Sequence, residues 1–71
     1  MPQVEIFKTN VNNKRAAHKA IFLLSQDSPE YEINFDLDDC DNVLRVMGRH
    51  VDVQRILKRM KGLGYRCEVI N

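Results

Sequence analysis

Between residues 31 and 37 the chain alternates strictly. Tyr31, Ile33, Phe35 and Leu37 share one side, and Glu32, Asn34 and Asp36 share the other. This period of two predicts a strand with one dry face and one wet face, as in an antiparallel sheet. The polar run Asp38, Asp39, Cys40, Asp41, Asn42 reads as a turn. Residues 43–47 return as a strand, so the pair forms a hairpin with a loop of about five residues. A shorter alternation predicts a first strand over residues 4–9, with Val4 and Ile6 on one face and Phe7 on the other.

Elsewhere the period changes to that of a helix. Ala17, Ala20, Ile21 and Leu24 form one apolar stripe, predicting a helix over residues 12–26. Thr9, Asn10, Asn12 and Asn13 suit the turn before it and its cap, because their side chains accept from free backbone N–H groups. Pro29, after Asp27 and Ser28, stops it. Gly48 breaks the strand before it, and Asp52 caps a second helix over residues 52–61. Val53, Ile56, Leu57, Met60 and then Leu63 line its apolar side. Gly64 suits the left-handed position that ends such a helix. Residues 66–70 close the chain as a short strand with Cys67 and Val69 on one face.

The element order is β-α-β-β-α-β. Two helices, each with one apolar stripe, and four strands pack as one α+β layer pair, the ferredoxin-like arrangement, in a single domain over residues 1–71. The sheet face away from the helices is expected to show Glu5, Phe7, Glu32, Asn34, Asp36, Arg45, Met47, Arg66 and Glu68. Phe7 and Met47, flanked by charge, would make a small contact patch there.

Three stretches resemble a known family. One is Thr9 at a strand-to-helix turn, followed by Ala17, Ala20, Ile21 and Leu24. The second is the hairpin ending in Val46, Met47 and Gly48. The third is Ile56, Leu57, Met60, Leu63, Gly64 and Tyr65. Over residues 4–70 the chain resembles the heavy-metal-associated domain of copper chaperones and of metal-pumping ATPases. That family's chemistry sits in a Met-Thr-Cys-x-x-Cys loop, whose paired thiolates suit a soft ion such as Cu(I). Here the aligned run is Lys8-Thr9-Asn10-Val11-Asn12-Asn13. Asn10 and Asn13 stand where the cysteines would be, and a neutral amide is a poor ligand for a soft metal. The resemblance therefore implies the fold without the metal loop.

A relocated site is the alternative. If the first two strands run the same way, Asn10, Asn13, Asp38, Asp39, Cys40, Asp41, Lys61 and Tyr65 meet at one pole. Cys40 with Asp38, Asp39 and Asp41 could hold a borderline divalent ion such as Zn²⁺. The simpler expectation is a polar hairpin turn and no cofactor. Cys67 alternates with Val69 and reads as a small core residue. Met47 and Met60 read as packing residues, and His18 and His50 as solvated histidines.

Charge narrows the function. The 71 residues carry a formal net charge of +1, which gives no general attraction to nucleic acid or membrane. The longest apolar run, residues 20–24, is too short to span a bilayer, and no secretory signal is legible. Two cysteines suit thiols in a reducing cytoplasm. No phosphate loop, acid–base pair or activated nucleophile appears, so an enzyme is not expected. Four acids on the exposed sheet face argue against RNA binding.

The charges are strongly segregated. Residues 27–41 hold seven of the ten acids and no base; residues 45–66 hold seven bases and one acid. Lys14, Arg15, Lys19, Arg55, Lys58 and Arg59 would form a basic helical docking surface for an acidic patch on another protein, or on a second copy. The family's chaperones meet their targets with such a face, so the resemblance implies the same. A small-ligand regulatory domain of the ACT type shares the topology and is a second alternative. It would bind near the first loop and dimerise with ligand.

Overall fold

The structure is a computed structural model that describes residues 2–38 and 42–70. Its elements are β1 (Gln3–Thr9), α1 (Lys14–Asp27), β2 (Glu32–Asp36), β3 (Val43–Gly48), α2 (Val53–Gly62) and β4 (Cys67–Val69). The fold is α+β, with two helices and a four-stranded antiparallel sheet in the order β2-β3-β1-β4. The long-range β1–β3 pairing sets Phe7 against Leu44 and Glu5 against Val46. Asp36 pairs with Val43, so the hairpin connection spans residues 37–42, one residue more than expected. Asp39, Cys40 and Asp41 of that connection lie outside the described residues.

Both helices are capped by polar side chains of the kind the sequence predicts. The Asn13 side chain accepts from Ala16 N at 2.8 Å, and that of Asp52 accepts from Arg55 N at 3.1 Å. Each satisfies an N–H that the first helical turn leaves without a partner. α1 starts two residues later than the stripe suggests, because Asn12 and Asn13 lead into the cap. At the end of α2, Tyr65 N donates to Met60 O and Gly64 N to Lys61 O, both at 3.0 Å. Gly64 holds a φ of +90°. This is the paired-bond helix ending that a left-handed glycine permits.

One core joins both helices to one face of the sheet. Phe7, Val11, Leu44, Val46 and Met60 are its largest fully buried side chains, with Ala17, Ala20, Leu24 and Ile56 from the helices. Each large apolar group so buried stabilises the fold by about 1.5–3 kcal/mol. Tyr31, Ile33, Phe35 and Leu37 pack against this core, as their alternation predicts.

The expected placement of β1 is overturned. Phe7 is fully buried, and Glu5 shares its side. The open face of β1 instead presents Val4, Ile6 and Lys8, with Val4 in register with Met47 and Lys8 with Glu68. The contact patch built on Phe7 therefore does not exist. The reason is non-local: β1 carries apolar residues on both faces, and pairing with Leu44 and Val46 chooses between them.

Candidate functional site

The connection from β1 into α1 is tied down by its own polar side chains. Thr9 is buried; its hydroxyl donates to Asn42 O at 2.7 Å and accepts from Val11 N at 3.2 Å. Asn42 adopts a left-handed φ of 48°, which asparagine tolerates better than most residues. Asn10 binds the entry to β4 twice. Its side-chain oxygen accepts from Arg66 N at 2.8 Å, and its own N–H donates to Arg66 O at 3.3 Å. Asn13 caps α1. Both asparagines thus spend their acceptors on backbone donors. Val11, buried inside this polar run, anchors the loop to the core.

The predicted pole divides into two grooves. One of about 740 Å³ opens between α2 and β4, where Asn10, Lys61 and Tyr65 meet Leu57, Arg66 and Cys67. The other, about 620 Å³, runs between α1 and β2 and holds Asp38 together with Lys14 and His18. Asp38 therefore sits across the fold from Lys61 and Tyr65 rather than beside them. Its backbone N–H donates to Asp36 Oδ1 at 3.2 Å, a local turn bond. The other proposed ligands, Asp39, Cys40 and Asp41, lie outside the described residues. Among the described residues, no group of three or more His, Cys, Asp or Glu side chains is placed to hold a metal ion.

Cys67 lines the first groove as a half-buried free thiol. Burial, reinforced by the neighbouring Glu68 carboxylate, pushes its pKa up from 9.0 to about 12. A thiol held in its protonated form is inert as a nucleophile or ligand at neutral pH. His18 and His50 are exposed, and Met60 is fully buried.

The six basic docking residues occupy the two helices. Lys14, Arg15, Lys19, Arg55 and Lys58 are exposed. Arg59 is not equivalent to them: its Nε lies 3.1 Å from Asp27 Oδ2, an ion pair linking the end of α1 to α2. Asp27, Arg55, Lys58 and Arg59 line a shallow depression of about 300 Å³ between the helices. Sequence reasoning missed the Asn10–Arg66 pairing and the clamp on the Tyr31 hydroxyl. It donates to His50 O and accepts from Asp52 N. Neither leaves a sequence motif, because both join positions far apart in the chain.

No protein-family model matches this chain, and no curated protein or solved structure matches it significantly. No described helix is long and apolar enough to cross a membrane.

Proposed function

We propose that this chain is a ferredoxin-like binding module related to heavy-metal-associated domains, which has exchanged a thiolate metal loop for a structural one. It acts through protein contact, using the basic surface of its helices against an acidic patch on a partner. The observation that carries this reading is the use of Asn10 and Asn13. The two residues aligned with the family's cysteines accept from Arg66 N and Ala16 N, each at 2.8 Å, and close the loop. Lys14, Arg15, Lys19, Arg55 and Lys58 remain exposed for docking, and complementary charge steers and orients such encounters. The free Cys67 thiol suits a reducing cytoplasm.

Native mass spectrometry of the reduced protein with equimolar Cu(I) or Zn(II) tests the first half. The metal-free mass is expected. One ion per chain, lost in Cys40→Ser, would replace this reading with a relocated metal site. Cross-linking in lysate tests the second half, comparing wild type with Arg55→Glu/Lys58→Glu. An acidic partner captured only by wild type is expected. Identical captures by both would remove the helical face from the function.

A further inference from the structure

The second groove has a different character from the basic helices. β2 is the last strand of the sheet, and among the described residues no strand pairs with its outer edge. Edge strands of soluble proteins are commonly protected by proline, lysine, a bulge or a covering segment. Within Glu32–Asp36, β2 has no proline, lysine or bulge, its charged side chains are the acids Glu32 and Asp36, and its register with β3 runs without interruption. Its outer edge therefore offers a regular row of backbone donors and acceptors.

The two sides of that edge differ chemically. On the open sheet face stand Glu32, Asn34 and Asp36. Arg45 is already engaged there, donating to Asn34 Oδ1 at 3.2 Å. A groove of about 620 Å³ runs past this edge from the helix side; Ile21, Phe35 and Leu37 give it an apolar floor, and the charges around it are mixed, with Lys14 and Arg45 facing Asp36 and Asp38. A strand added to β2 would alternate its side chains between these environments. Those on the open face would meet carboxylates. Those on the helix side would meet the apolar floor.

We propose that the β2 edge is a second docking site, which accepts an extended segment of another protein alternating basic and apolar residues. Backbone hydrogen bonds supply the pairing, and alternate side chains supply the specificity. The apolar floor and the acids of β2 act together to fix register. A slip of one residue would bring cations onto the apolar floor and apolar groups against Glu32 and Asp36. A second copy of this chain is a poor occupant. An antiparallel β2–β2 pair centred on Asn34 would oppose Glu32 to the other copy's Asp36, and like charges directly opposite are destabilising. The site has the opposite charge preference to the helical face, and the two share Lys14.

The test is a titration followed by amide resonances and hydrogen exchange. The probe is a capped heptapeptide alternating arginine and valine. Its controls are a peptide of the same composition with the two residue types in separate blocks, and a fully N-methylated form. The alternating peptide is expected to shift and protect the amides of Glu32–Asp36. Both controls, and the Glu32→Lys/Asp36→Lys variant with the alternating peptide, should bind about tenfold more weakly or worse. If the double variant fails to fold, Glu32→Gln with the same peptide gives a smaller loss in the same direction. Equal binding of all three peptides, shifts mapping outside the β2–α1 groove, or no saturable binding would each overturn the proposal. The metal result and the helical face do not enter this test, so either reading can fail without the other.

Discussion

The ring of Tyr31 occupies the space a side chain at Gly48 would need. A Cβ at Gly48 would lie 2.7 Å from Tyr31 Cδ1 and 3.1 Å from Cε1. The ring cannot readily swing aside. Its hydroxyl donates to His50 O at 2.6 Å and accepts from Asp52 N at 2.9 Å, beside the cap of α2. This contact joins the start of β2, the end of β3 and the start of α2. Gly48→Ala should therefore destabilise the domain by about 1–3 kcal/mol, the range for forced overpacking. Tyr31→Phe keeps the ring and loses both hydrogen bonds, for about 1–2 kcal/mol. Chemical denaturation measures both. Gly48→Ala combined with Tyr31→Leu should cost less than the sum of the two single changes, because the smaller side chain removes the clash.

The loop supplies a test of the family resemblance itself. Asn10→Cys/Asn13→Cys places two thiols at the spacing of the heavy-metal-associated loop. The double variant should bind one Cu(I) per chain in competition with a chromogenic chelator, where wild type binds none. It should also be less stable by about 1–3 kcal/mol, because the α1 cap and the bond to Arg66 N are both lost. A variant that folds and still ignores Cu(I) would break the alignment of this loop with the metal loop.

How much was legible in the sequence depended on how local the deciding interaction was. Asp52 and Gly64 were readable because caps and left-handed turns are satisfied within a few residues. β2 was readable because Tyr31, Ile33, Phe35 and Leu37 leave only one possible dry face. β1 was not, since Val4 and Ile6 compete with Phe7 and the choice is made by Leu44 and Val46, almost forty positions away. Val11 was hidden in a polar run, yet it is fully buried. The pole gathered too many residues for the same reason. Strand direction brings Asn10 and Asp38 to one end, but only the order β2-β3-β1-β4 shows that they stand on opposite sides of it.

Cys67 should be nearly unreactive. With its pKa raised from 9.0 to about 12, its thiolate fraction at pH 8 is lower than that of a free thiol by about a thousandfold. Iodoacetamide labelling followed by peptide mass spectrometry should show Cys67 modified at a correspondingly slow rate until the protein unfolds. The pH dependence has a definite sign. The folded state holds this proton more tightly than the unfolded state, so the contribution to stability is complete below about pH 9 and is lost as pH rises towards about 12. Cys67→Ala should flatten the alkaline end of the stability profile. Fast labelling of folded protein at pH 8 would contradict the buried thiol.

Two glycines near the end of α2 should respond to alanine in opposite directions. Gly62 is the last helical residue, and a Cβ there would meet nothing within 4 Å. Alanine lowers the entropy of the unfolded chain and favours the helix, so Gly62→Ala should stabilise by about 0.5–1 kcal/mol. Gly64 also has open space around it, but its φ of +90° is one that side chains rarely adopt. Gly64→Ala should destabilise by about 1–2 kcal/mol through backbone strain alone. It would also disturb the bonds from Tyr65 N to Met60 O and Gly64 N to Lys61 O that close the helix. For a domain of this size each kilocalorie moves the melting temperature by about 4–8 °C. The two variants should therefore melt on either side of wild type and be separable by thermal denaturation. If both melt below it, α2 does not run to Gly62. If both melt above it, the left-handed turn at Gly64 is not the ending of the helix.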